Sequence, residues 1–252
     1  MKALLRQAIS GVRAVLGARN STADAGSPLD ASPQDQEILR KIAGFTMTST
    51  ARQMSLIGAV RHIAKSDIRG SIVECGVWRG GSSMAIALTL MQEGNADRDL
   101  VLFDTFEGMT EPLEVDRTPN GALAKELMEK DPDRRGEVWA VATYEDVLTN
   151  MRSTGYDGNR LRLVKGPVES TIPEQAPAGP IALLRLDTDW YESTKHELEH
   201  LFPKLVSGGV LIIDDYGHWQ GARKAVDEYL QSLPDQYFLH RIDYTGRLLV
   251  KR

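Results

Sequence analysis

The stretch SIVECGVWRGGSSMAIALTL, residues 71–90, decides the architecture. Residues 71–75 form a short apolar run of the length and composition of a buried strand, and 82–93 read as a helix. Between them Gly76, Gly80 and Gly81 permit a tight turn and let the backbone approach a ligand at the helix start. Strand, glycine turn and helix in succession form the opening unit of an α/β sheet.

The same alternation continues outward. Strands are predicted at 101–104, 161–165, 181–187 and 210–214, with helices at 143–154, about 190–202 and about 220–232. Thr143 reads as an N-cap and Gly155 as a helix stop. The chain closes with YFLHRIDYTGRLLVK, two strands around a turn at 243–246. The expected fold is α/β: a mostly parallel sheet with helices on both faces and an antiparallel hairpin at one edge. Residues 35–66 read as helical, and 18–34, rich in Pro, Gly and Ser, as a linker. A domain over 35–252 is therefore expected behind an N-terminal helix and linker over 1–34. The connection over 108–142 far exceeds the usual length of about 2–6 residues and contains a helical segment, ALAKELMEK. It reads as a lid over a site or as an oligomer-forming insertion, with Glu111, Glu114 and Asp116 expected to face solvent.

In such sheets ligands bind beyond the carboxyl ends of the strands, so the polar residues placed there carry the chemistry. After the first strand the glycine spacing is G-x-x-x-G-G, not the dinucleotide pattern G-x-G-x-x-G. That disfavours a nicotinamide dehydrogenase and suits a ligand without a pyrophosphate, such as S-adenosylmethionine. Asp104 ends the second strand, where its two oxygens can accept both hydroxyls of a ribose; a turn-capping role is the alternative. RLDTDWY places Asp187 and Asp189 at the end of one strand, and VLIIDDYG places Asp214 and Asp215 at the end of the next. Adjacent strands would converge these carboxylates at one mouth of the sheet, where Mg²⁺ or a similar ion would offset their repulsion. For Asp214 and Asp215 alone a capped turn serves equally. His196 and His200, four apart, are expected at the surface, and His218 is a weak acid–base candidate.

Composition narrows the function classes. The chain is 42% hydrophobic and 26% charged, as ordinary globular proteins are. Its net charge of −5 argues against nucleic-acid binding by overall positive charge. Cys75 is the sole cysteine, so neither an internal disulfide nor a cysteine zinc cluster is expected, and a cytoplasmic location is. No run approaches the ~18 apolar residues of a membrane span. Residues 2–17 have helical apolar spacing interrupted by Lys2, Arg6 and Arg13, which suits a peripheral membrane contact or packing on a partner subunit.

Together, IVECGVWRGGSS, FDTFEGM, LLRLDTDWYEST and GGVLIIDDYGHW resemble the macrocin O-methyltransferase family over roughly residues 45–250. FTMTSTAR, residues 45–52, is similar to the family's stretch ahead of the core. The resemblance implies a seven-stranded Rossmann-like methyltransferase sheet and methylation of a sugar, glycan or glycosylated natural-product hydroxyl with S-adenosylmethionine and Mg²⁺. It implies cofactor contacts from Thr46, Met47, Glu74, Gly76, Val77, Gly80, Gly81, Ser82 and Asp104. It also implies metal binding by Asp187, Asp214 and Asp215, with Asp187 as general base, and a homo-oligomer. Related catechol methyltransferases carry a lysine base three residues after their first metal aspartate; that position here is Trp190, which favours an aspartate base. A catechol or phenol methyltransferase and a catalytically silent cofactor-binding protein are the alternatives.

Overall fold

The computed structural model describes residues 28–134 and 136–252. The helix expected over 1–17 and most of the linker lie outside the described residues. Two helices open the described chain, α1 (Pro33–Ile42) and α2 (Thr50–Lys65). The sequence had read as helical throughout 35–66, but Ala43–Ser49 breaks it, and each helix has its own cap, Ser32 for α1 and Ser49 for α2. The break is the FTMTS segment, and its position against the sheet matters below.

Seven strands follow in the order β3-β2-β1-β4-β5-β7-β6. They are β1 (Ser71–Cys75), β2 (Leu100–Asp104), β3 (Leu161–Lys165), β4 (Ile181–Leu186), β5 (Leu205–Ile213), β6 (His240–Arg241) and β7 (Arg247–Val250). The first five are parallel, while β7 runs antiparallel to both β5 and β6. This is the expected α/β sheet with its edge hairpin. Strand β5 begins five residues before the predicted start.

Alternation of side chains along each strand divides the core in two. Ile72, Leu100, Leu102, Leu183 and Ile212 face α1, α2, α3 (Gly81–Gln92) and a later helix, α5 (Tyr144–Ser153). Val73, Phe103, Leu184, Leu186 and Ile213 face the other side, covered by α7 (Tyr191–Leu201) and α8 (Gln220–Ser232). Burial on both faces explains why these strands read as continuous apolar runs. Of the short helices, α4 (Ala124–Glu129) lies in the long insertion and α6 (Val168–Thr171) follows β3. The sequence reading did not foresee α6.

The insertion is tied down rather than solvated. Asp116 is wholly buried, contrary to expectation, and its carboxylate accepts the N–H groups of Leu113 (2.7 Å) and Tyr191 (2.8 Å). The second contact satisfies the first N–H of α7, whose preceding residue, Trp190, offers no side-chain cap. Burial pushes the Asp116 carboxyl upward, opposed by these two backbone donors. Ala124, Met128 and Val138 pack with Trp190 and Trp219 in a third small core. The two indoles meet edge to face with centroids 4.8 Å apart, and Trp190 Nε1 donates to Thr110 O at 3.0 Å. No helix of the described residues is long and apolar enough to cross a membrane.

Candidate active site

Sheet order puts β2 on one side of β1 and β4 on the other, so the connections diverge at the carboxyl end of β1. Gly76 N–H donates to Phe103 O (2.9 Å), and Asp187 N–H to Cys75 O (2.8 Å), which closes the three strand ends together. Only glycine fits at position 76. Its φ is +80°, and a Cβ there would lie 2.1 Å from Asp187 O. Gly81 allows a second close approach, because its N–H donates to Phe45 O at 2.9 Å and a Cβ would sit 2.4 Å from that oxygen. The FTMTS segment is thereby held against the N-terminus of α3.

A cleft forms at this junction, with about 960 Å³ of free space counting its open mouth. Thr46, Met47, Gly76, Val77, Gly81, Ser82, Asp104, Asp187, Asp214 and Asp215 all line it. The insertion contributes Gly108, Met109, Thr110 and Ala140 to the same wall. Asp104 accepts from Val77 N (2.7 Å), Trp78 N (3.0 Å) and Phe106 N (2.7 Å), so it anchors the glycine turn while facing the cleft. Burial raises its pKa, and those three donors oppose the rise. Thr105 Oγ1 also lies 3.4 Å from this carboxylate but is closer to Gly108 O, at 2.6 Å, so a ligand hydroxyl can compete for that fourth acceptor site. Glu74 and Gly80 are not on the wall. Gly80, at φ +88°, is the N-cap of α3, and Glu74 is wholly buried behind the cleft.

Glu74 reveals a feature the sequence reading missed. Arg185, buried in β4, contacts Glu74 at 2.6 Å, Asp187 at 2.9 Å and Asp214 at 2.7 Å. Ser83 Oγ also donates to Glu74, and Arg52 Nη1 donates to Asp214. Arg52 reaches Asp243 as well (3.0 Å), whose other oxygen accepts Thr245 N and Gly246 N in the β6–β7 turn. Asp214 thus rests on two guanidinium groups, and the protein itself supplies cations to the aspartate cluster. The signal was legible in principle: an arginine inside the apolar run IALLRLD needs a buried counter-charge.

Oxygens of Asp187, Asp214 and Asp215 lie within 4.8 Å of one another. Adjacent pairing of β4 and β5 brings them together, with Asp214 N–H donating to Leu186 O at 2.9 Å. This all-oxygen donor set fits a hard divalent ion. The charge fits too, because the carboxylates of Glu74, Asp187, Asp214, Asp215 and Asp243 outnumber the guanidinium groups of Arg52 and Arg185. Burial pushes the Asp187 carboxyl well above its ordinary range; Arg185 opposes this, and Asp214 and Asp215 add to it. The side chain nevertheless keeps 28% of its surface exposed, so it is less enclosed than Glu74. Asp189 adopts φ +67° and also lines the cleft, as do Glu169 and Ser193, which share a 2.6 Å hydrogen bond.

The histidines lie elsewhere. His196 Nε2 bonds Ile172 O and His200 Nδ1 bonds His196 O, both at 2.8 Å, so the two serve helix packing. His218 Nδ1 is 3.0 Å from the Tyr244 hydroxyl and is not on the cleft wall.

The model of the family described as macrocin-O-methyltransferase matches residues 13–251, reaching further toward the N-terminus than the motifs alone indicated. The chain is 35% identical over 210 residues to a Streptomyces olivaceus enzyme named 8-demethyl-8-(2,3-dimethoxy-alpha-L-rhamnosyl)-tetracenomycin-C 4'-O-methyltransferase, covering 80% of this chain and 73% of that protein. It is 33% identical over 184 residues to demethyldecarbamoylnovobiocin O-methyltransferase of Streptomyces niveus, covering 73% and 67%. Among solved structures, the O-methyltransferase NovP superposes with a TM-score of 0.70 at 31% identity, over 82% of each chain.

Proposed function

The chain belongs to the macrocin O-methyltransferase family, and from that membership we propose that it transfers the methyl group of S-adenosylmethionine to a hydroxyl of a sugar or glycosylated natural product. The relatives' names describe methyl transfer to such molecules. One observation carries the reading: three carboxylates that can hold a divalent ion share a cleft with the glycine turn and Asp104.

In this reading Thr46, Met47 and the turn from Gly76 to Ser82 enclose the methyl donor, and Asp104 accepts from its ribose. Glu74 acts from behind, through Arg185. Asp187, Asp214 and Asp215 would hold Mg²⁺. When bound, that ion supplies the positive charge a poorly acidic sugar hydroxyl needs as it loses its proton. Asp187 takes the proton: it lines the cleft at the carboxylate cluster, and Arg185 at 2.9 Å fixes its orientation. Trp190 is no base, since an indole nitrogen is a donor only, and here that N–H goes to Thr110 O. The insertion over 108–142 is the acceptor lid, clamped through Asp116, Trp190 and Trp219.

The test is calorimetric titration of S-adenosylhomocysteine, with and without Mg²⁺, on wild type, Asp104→Ala and Asp104→Asn. We expect saturable binding weakened by about tenfold or more in Asp104→Ala, about 1.4 kcal/mol. Asp104→Asn, which keeps one acceptor for the turn, controls for local unfolding. Folded wild-type protein that binds no S-adenosylhomocysteine in either condition would overturn the reading.

A further inference from the structure

On the far side of the turn that follows Asp215 lies a second, wider groove, with about 1700 Å³ of free space counting its open mouth. Asp215 O accepts the N–H groups of His218 and Trp219 (both 3.0 Å), so one short turn separates the aspartates from this groove. The lid borders both spaces, with Met109 and Thr110 on the cleft and Val115 and Pro119 on the groove.

The groove is basic in an acidic chain. Arg223, Lys224, Arg241 and Arg247 line it against Asp227 and Glu228. Both acids are already engaged: Asp227 with Arg223 (3.5 Å) and the Tyr216 hydroxyl (2.7 Å), Glu228 with Lys224 (2.7 Å) and the Tyr191 hydroxyl (2.8 Å). Among the described residues no carboxylate forms an ion pair with Arg241 or Arg247, which instead donate to backbone carbonyls of the 243–246 turn. Arg247 is lowered from the ordinary guanidinium range, first by burial and then by the field of Arg241. It is also pre-positioned, with its guanidinium 4.7 Å from the centroid of the Tyr216 ring while Arg223 lies 5.6 Å from the same centroid.

Neighbouring guanidinium groups that repel one another are relieved best by an anion with several charges and oxygens directed to each of them, as a phosphate has. We propose that this groove binds the phosphate or diphosphate of a phosphorylated glycosyl acceptor, along Arg241 and Arg247, while the attached sugar reaches past the Asp215 turn to the aspartates. The proposal rests on the methyltransferase reading for its sugar, but its anion site stands on the groove alone. A nucleoside or a lipid can carry such a phosphate, and the test separates them.

The experiment is titration of full-length protein, presaturated with S-adenosylhomocysteine to block the cleft, in metal-free buffer because pyrophosphate chelates divalent ions. Inorganic pyrophosphate is the primary probe; uridine diphosphate and phosphatidylglycerol vesicles are the two carrier arms. We expect saturable pyrophosphate binding that weakens with salt and falls about tenfold in Arg241→Gln, with S-adenosylhomocysteine affinity unchanged. Arg247→Lys, which keeps the charge but not the fork, should lose less. Tighter binding of uridine diphosphate than of pyrophosphate supports a nucleoside carrier, and vesicle binding that Arg241→Gln abolishes supports a lipid carrier. Absence of pyrophosphate binding, or equal binding by Arg241→Gln, overturns the proposal and leaves the arginines as guards of the edge strand. Pyrophosphate binding by protein that rejects S-adenosylhomocysteine would keep the anion site and remove the methyltransferase reading.

Discussion

Arg185→Met removes the internal counter-charge of the site while keeping a long apolar stem. The lost guanidinium contacts Glu74, Asp187 and Asp214 at 2.6, 2.9 and 2.7 Å. Asp214 retains Arg52, and Asp187 retains partial exposure, so the heaviest penalty falls on Glu74, which among the described residues keeps only Ser83. Removing one partner of a buried pair costs about 3–5 kcal/mol, which in a chain of this size lowers Tm by roughly 6–20 °C. Burial holds the carboxyls of Glu74 and Asp187 above their ordinary ranges, and Arg185 opposes that rise. Without the arginine both move further up. A carboxyl whose folded pKa exceeds its unfolded value contributes stability in acid, and that contribution is lost as pH rises through the folded pKa. The deficit of the variant should therefore widen from about pH 5 to about pH 8. Thermal and urea unfolding at both pH values, with and without Mg²⁺, is the assay. Added Mg²⁺ should return part of the lost stability by binding the folded state. A variant with wild-type Tm at both pH values would refute the counter-charge argument.

Three further outcomes are expected. Asp116→Ala strands the N–H groups of Leu113 and Tyr191, costing about 2 kcal/mol; hydrogen exchange should rise across 108–142, and unchanged exchange there would contradict the clamp. Gly76→Ala forces a Cβ to 2.1 Å from Asp187 O at φ +80°, so soluble yield or Tm should fall far more than in Gly44→Ala, where a Cβ meets nothing within 4 Å. Trp190→Phe loses the N–H bond to Thr110 O but keeps ring packing on Trp219; an unfolding free energy from urea titration lowered by about 1 kcal/mol is expected, with the acceptor KM rising more than S-adenosylhomocysteine affinity changes.

Strands buried on both faces read as near-continuous apolar runs, interrupted here by Glu74 in β1 and Arg185 in β4, so β1, β2, β4 and the core of β5 were legible without neighbours. The helix over Gln220–Ser232 and the Thr143 cap were legible for the same local reasons of periodicity and capping chemistry. Placement of acidic residues at strand ends pointed to the mouth of the sheet where the structure has its cleft, since ligand sites collect at carboxyl ends in parallel sheets. The break at Ala43–Ser49 was missed because Gly44 alone is a weak interruption, and a glycine inside a helical pattern is tolerated at about 1 kcal/mol. Asp116 was misjudged because nothing within its own segment shows that the N-terminus of α7, 75 residues away, needs its carboxylate.

What this sequence determines by itself is therefore the main strands and longer helices, their parallel arrangement and the residue types at the strand ends, because each follows from local periodicity and backbone conformation. Only the tertiary structure decides which charges meet. Asp214 was expected to need a cation and already rests on Arg52 and Arg185, drawn from a helix 162 residues and a strand 29 residues away in sequence. The groove beyond Asp215 likewise joins Arg223 of α8 to Arg241 and Arg247 of the edge hairpin. Electrostatic energy depends on distance through space and on burial, neither of which is a property of sequence spacing.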